Sequence, residues 1–296
     1  MPVHVVLSAI AMPMLSILTL LLSSVATQLS CTPPYAVGTR VVNYVDTARM
    51  NRPVGVLLRY PAVPPGGADA SALTGCPTQA PVFSFGHGFT ISNSGYEYLA
   101  LYLAAQGYIM VLPGTEAGLS PSHGVFAADL QFAARAVQSD PFFAGAAAPD
   151  RIYGGHSMGG GAAFLAAASD RNAHALFVLA PAQTNPSAIA AAVKVRASTF
   201  IVLGSRDCVT PRATNAQPMF DALNLSPSNK SIVEIPGASH CQFATGSVSC
   251  AIAEQSCGGA ATITTASQQI EARTDAVEFL VALGFPSESI YFDDFE

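Results

Sequence analysis

The chain has 296 residues, 50% of them apolar, with 13 Lys+Arg against 19 Asp+Glu and a formal net charge of −6. That length and apolar content suffice for a substantial single core. The few cations form no basic cluster, which argues against a nucleic-acid partner.

Val5 to Leu22 is almost uninterrupted apolar sequence, followed by the small residues Ser23-Ser24-Val25-Ala26-Thr27. The pattern predicts a secretory signal peptide over 1–26, with Ser24 and Ala26 at the small-residue cleavage positions. The weak positive charge before the run, His4 and the amino terminus, leaves an uncleaved anchor as the alternative. Gln28 stands where a lipoprotein site carries an aliphatic residue, so lipidation at Cys31 is discounted. All six cysteines (Cys31, Cys76, Cys208, Cys241, Cys250, Cys257) follow the expected cleavage point. An even count in a secreted chain predicts disulfides, with 15 complete pairings open, and the spacing matches no zinc pattern. No stable membrane insertion is expected after cleavage, and the mature protein is expected to be a secreted monomer.

Two early strands are expected at Val37–Val45 and Val54–Tyr60, joined by a polar turn containing Asp46 and Asn51. The Pro- and Gly-rich stretch Pro61–Pro81 reads as a loop. Pro81–Gly86 and Tyr108–Leu112 are short buried strands around a helix at Gly95–Gln106 that Gly107 stops. A second helix covers Gly124–Ser139. Arg151–Gly155, Ala175–Leu179, Ser198–Leu203 and Lys230–Ile235 read as further strands, and Pro218–Leu225 and Gln268–Leu283 as helices. Alternating strands and helices predict an α/β fold with a mostly parallel sheet of about eight strands. The expected organisation is a signal peptide at 1–26, one catalytic domain at 27–286 without a large lid, and an acidic, aromatic tail at 287–296.

The chemistry concentrates in Gly155-His156-Ser157-Met158-Gly159, where an apolar strand meets a small-residue helix. This is the pattern of a nucleophile elbow, which holds a serine Oγ above the sheet on a strained strand-to-helix turn. Gly155 and Gly159 suit the close reversal of the backbone. The start of the helix aims the Met158 N–H and the positive dipole end at an oxyanion formed on Ser157.

A serine hydroxyl needs a base, and the base needs a group that fixes its tautomer. With an elbow of this kind the acid and then the histidine follow in the chain. Of the two histidines beyond Ser157, His174 comes too early to leave room for an acid loop. His240 closes Ile235-Pro236-Gly237-Ala238-Ser239, a strand running into a loop at the carboxyl edge of the sheet, where ligand sites form. Among the intervening acids, Asp170 closes the elbow helix, Asp221 lies on a helix and Glu234 lies inside a strand. Asp207 alone directly follows a buried strand. A salt bridge from Asp207 to Arg206 or Arg212 is the competing use for it. The second oxyanion donor is expected in Phe85-Gly86-His87-Gly88-Phe89-Thr90, with Phe89 N–H preferred; Gly88 N–H, or His87 as a support, are the alternatives. Phe89 and His156 are the expected substrate contacts.

Gly88-Phe89-Thr90, Gly155-His156-Ser157-Met158-Gly159-Gly160-Gly161, Gly204-Ser205-Arg206-Asp207 and Ala238-Ser239-His240 together resemble the α/β-hydrolase family. Within it the chain is most similar to the dienelactone-hydrolase-like group of bacterial cutinases, poly(ethylene terephthalate) hydrolases and chlorophyllase-like esterases. The likeness spans roughly residues 35 to 285. It implies an α/β-hydrolase fold and a serine esterase with Ser157, Asp207 and His240 as triad. It also implies Phe89 and Met158 N–H groups as oxyanion hole, an ester substrate and no cofactor. A disulfide between the acid and histidine loops is typical of this group and implies Cys208–Cys241, with Cys250–Cys257 and Cys31–Cys76 left over. The tryptophan that clamps aromatic polyesters in these enzymes has no counterpart, since the chain has no Trp and Ala180–Thr184 has no aromatic residue. The competing readings are a peptidase or acyltransferase on the same triad, or a catalytically silent binding protein.

Overall fold

A computed structural model describes Met1, residues 32–76 and residues 79–285. The expected signal peptide, the acidic tail and Cys31 therefore lie outside the described residues. β1 (Val37–Asp46) and β2 (Arg52–Pro61) form an antiparallel hairpin, and the two-residue β3 (Gly67–Ala68) pairs with the outer edge of β1. β4 (Ala80–Gly86), β5 (Ile109–Pro113), β6 (Ala147–His156), β7 (Ala173–Leu179), β8 (Ser198–Gly204) and β9 (Lys230–Ile235) are parallel to one another. The sheet has nine strands in the order β3-β1-β2-β5-β4-β6-β7-β8-β9. This is the α/β-hydrolase fold, and its strand beyond the expected number is β3 inside the Pro61–Pro81 loop.

Parallel strands are covered on both faces, so they read as continuous apolar runs. β4 and β5 accordingly bury every residue. α1 (Glu97–Ala105) and α7 (Thr265–Ala282) pack against each other, while α2 (His123–Ser139) and α3 (Met158–Ser169) pack together elsewhere on the sheet. α2 is tied back to the hairpin by the fully buried Asp129, which accepts from Arg52 Nε (2.9 Å) and Thr115 Oγ1 (2.6 Å) and pairs with Arg49 (2.7 Å). Two further helices, α4 (Ala188–Ala192) and α6 (Val248–Ser256), were not expected from the sequence; α5 (Ala216–Ala222) matches the helix expected near Pro218. Among the described residues no helix is long and apolar enough to cross a membrane.

Candidate active site

The elbow forms at the end of β6. Ser157 adopts φ 55° and ψ −120°, a left-handed backbone held by its N–H donating to Leu179 O (3.0 Å) and its carbonyl accepting from Gly161 N (3.1 Å) and Ala182 N (2.9 Å). A non-glycine residue in this region stores strain that the surrounding structure must offset. The close reversal explains the glycines. A Cβ on Gly155 would enter the backbone of Gly159, and one on Gly159 would enter the backbone of Gly86 and His87. α3 thus presses against the ends of β6 and β4 at backbone contact, bringing the Met158 end of the helix beside the loop after β4.

At the carboxyl edge of the sheet, Asp207 follows β8 and His240 follows β9. His240 Nδ1 donates to Asp207 Oδ2 at 2.8 Å, and both side chains are buried. Asp207 Oδ1 accepts from Val209 N (2.8 Å) and Thr210 N (2.9 Å), and Thr210 Oγ1 lies 2.8 Å from Oδ2. Burial acts to raise the Asp207 carboxyl, but the hydrogen bond and charge of His240 and the donors of Thr210 outweigh it, holding the group below the usual carboxylate range. Neither Arg206 nor Arg212 takes Asp207: Arg206 donates to Ala260 O, and Arg212 pairs with Glu234. His174 sits away from the cluster against Asp150 (3.3 Å), and Asp170 pairs with Arg151 (2.7 Å). Ser157 lies one residue from His156, whose ring centroid is 4.6 Å from that of His240. Among the described residues the Ser157 hydroxyl makes no hydrogen bond to His240. Such bonds are often long in the free enzyme and tighten with substrate bound.

In the loop after β4, Gly88 N–H donates to the Tyr96 hydroxyl (2.9 Å), which takes that amide out of contention as an oxyanion donor. The ring nitrogens of buried His87 lie 2.9 Å from the carbonyl oxygens of Gly88 and Thr115, a supporting position. Phe89, on the same loop, is an exposed large apolar side chain (46%).

Two expectations are corrected. His156 is fully buried, with Nδ1 2.9 Å from the Tyr96 hydroxyl, and so presents no surface to a substrate. The disulfides join Cys208 to Cys257 and Cys241 to Cys250, in place of Cys208–Cys241 and Cys250–Cys257. Both bridges run to α6 or its C-terminal cap, which follows the histidine loop, so that one thiol joins the loop of Asp207 and the other the loop of His240. Glu254 on the same helix accepts from Cys241 N (3.0 Å), and Ser249 Oγ lies 2.8 Å from Thr90 Oγ1 on the loop of Phe89. Sequence reasoning missed Thr210 and Tyr96. The spacing of Asp207 and Thr210, three residues apart, is a local turn signal that reveals the first; the second has no local signal.

Among the described residues no group of three or more His, Cys, Asp or Glu side chains could hold a metal ion. A family model described as PET hydrolase-like matches residues 70–270, which includes every candidate site residue from Phe89 to His240. No curated protein matches the chain.

Proposed function

The chain belongs to the PET hydrolase-like family, an α/β-hydrolase group acting on esters, and from that premise we propose that it is a secreted serine carboxylester hydrolase working through an acyl-enzyme. The observation that carries the reading is the buried Asp207–His240 hydrogen bond at 2.8 Å, beside an elbow serine held at positive φ.

In this mechanism Ser157 Oγ attacks the ester carbonyl while His240 Nε2 takes its proton. Asp207 fixes the tautomer of His240 through Nδ1 and stabilises the imidazolium that forms. The N–H groups of Met158 and Phe89 hold the oxyanion, assisted by the positive end of α3. His240 protonates the leaving alcohol, and water repeats the sequence on the acyl-enzyme. The exposed Phe89 offers an apolar wall to an acyl or alcohol group. With no tryptophan in the chain, small or aliphatic esters fit the site better than aromatic polyesters. Disulfides at both catalytic loops and the apolar Val5–Leu22 stretch support export to an oxidising compartment as one catalytic domain over 27–286.

The test is hydrolysis of a chain-length series of p-nitrophenyl esters, with a polyester film alongside. Ser157→Ala should abolish turnover while retaining the fold, and a fluorophosphonate should label the wild type but not the variant. Retained turnover in Ser157→Ala overturns the serine assignment. Absence of labelling in folded wild type favours the catalytically silent alternative.

A further inference from the structure

The interior behind the elbow contains two polar side chains that the mechanism does not use. Tyr96 and His156 are both fully buried and 60 residues apart in sequence, and they meet at 2.9 Å. The directions of the hydrogen bonds follow from elementary inventory. The Gly88 N–H can only donate, so the Tyr96 oxygen accepts from it (2.9 Å), and the phenolic proton is left for Nδ1 of His156. Nδ1 is then the acceptor, and the single proton of a neutral imidazole sits on Nε2.

The electrostatics agree. Burial keeps the Tyr96 phenol far above its ordinary range, so it stays an O–H donor. Burial, with the repulsion of His240, keeps His156 well below its ordinary value; Asp207 and the His240 backbone oppose this without reversing it. The groups facing the pair are therefore Gly88 N–H, Tyr98, His240 and Asp207, with Phe85 (5.1 Å) and Phe243 (5.8 Å) as apolar neighbours. The His156 ring also lies tilted against that of His240, with centroids 4.6 Å apart and an interplanar angle of 43°.

We propose that Tyr96 and His156 are a positioning pair that locks the loop carrying the Phe89 amide against the imidazole of His240. One end of the pair holds the backbone immediately before Phe89. The other end is a neutral ring that supports the base on one face without placing a second positive charge beside it. The oxyanion donor and the base belong to separate loops after β4 and β9, and this buried pair supplies a direct polar link from the first to a ring that touches the second.

The inference rests on the serine-hydrolase reading. Its experiment uses the full-length mature protein, p-nitrophenyl butyrate as substrate and fluorophosphonate titration to count competent sites. Tyr96→Phe should lower kcat per titrated site by about tenfold with KM within about twofold, because a displaced amide fails the oxyanion more than the ground-state ester. Phe143→Leu loosens the core where that ring packs on Tyr60 (5.1 Å), apart from both hydrogen bonds, and should keep kcat per site close to wild type. Wild-type kcat per site in Tyr96→Phe, with only a lowered Tm, overturns the proposal. Equal losses of kcat in both variants overturn it as well. If Tyr96→Phe does not fold, nitrogen-15 histidine spectra of the wild type decide the question. A neutral His156 with its proton on Nε2 from about pH 5 to 9 is the expected signature, and a proton on Nδ1 or a titrating ring overturns the assignment. Activity in Ser157→Ala would instead sink the underlying reading, so the two failures are separable.

Discussion

Thr210 Oγ1 lies 2.8 Å from Asp207 Oδ2 and 3.0 Å from His240 Nδ1, so one hydroxyl touches both polar partners of the candidate serine. With Val209 N and Thr210 N on the other carboxylate oxygen, the Asp207 charge is surrounded by donors. Thr210→Val keeps the branched shape and deletes one of them. A hydrogen bond to a charged group contributes about 1.5–3 kcal/mol. The variant should therefore lose about tenfold in kcat/KM while KM stays near wild type. Loss of a donor to the ionised form raises the Asp207 carboxyl back toward its ordinary value. Steady-state kinetics check both constants.

Asp170 closes α3 and receives Arg151 Nε (2.7 Å), Tyr153 Oη (2.6 Å) and Asn172 N (2.9 Å). Burial pushes its carboxyl up, but these donors more than offset that and leave it below the ordinary value. A carboxyl depressed in the folded state contributes stability that is present above its unfolded value, near 3.8, and is lost as pH falls through the folded one. Asp170→Asn leaves the buried Arg151 charge unpaired, so neutral-pH stability should fall by about 2 to 4 kcal/mol. The variant's acid-unfolding curve below about pH 4 should be flatter than the wild type's. Urea titrations at several pH values measure both.

Asp275 on α7 behaves in the opposite sense. Burial, followed by the like charges of Glu271 and Glu278, pushes its carboxyl up to about 6. A carboxyl raised in the folded state opposes folding above that value and ceases to do so once protonated. Asp275→Asn should therefore stabilise the protein at pH 8 by about 1 kcal/mol, after allowance for solvent screening. The gain should vanish near pH 4. Tm measured at both pH values tests the sign.

The bridges Cys208–Cys257 and Cys241–Cys250 close segments with sequence separations of 49 and 9. Chain-entropy arguments give upper contributions of about 4 and about 3 kcal/mol. Peptide mapping of the oxidised protein should recover these two pairs and no Cys208–Cys241 peptide. Replacing Cys208 and Cys257 by Ala should lower Tm more than replacing Cys241 and Cys250, as the longer closed segment predicts.

The elements that carry the site were legible because their signals are local. β6 and α3 meet in a run of small residues that only a tight reversal requires, Asp207 directly follows the buried apolar strand β8, and His240 follows the short β-branched run of β9, of which Ile235 alone is buried. α6 was not legible, because Cys250 is its only buried residue and no apolar stripe marks it. α4 is a five-residue helix of Ala and Ile, too short for periodicity to register. The cysteine pairing depends on where α6 docks, so missing the helix meant missing the bridges. His156 reads as a surface contact only until Tyr96 arrives from 60 residues away to cover it.

Cys250 and Cys257 sit about two helical turns apart, near the two ends of α6. Oxidation to the native pattern therefore requires that helix to be coiled and seated before the thiols close. A chain oxidised while α6 is still extended has no guide among its four nearby cysteines. The helix is thus a template for pairing, and the yield of correctly bridged protein will depend on how early it docks relative to oxidation.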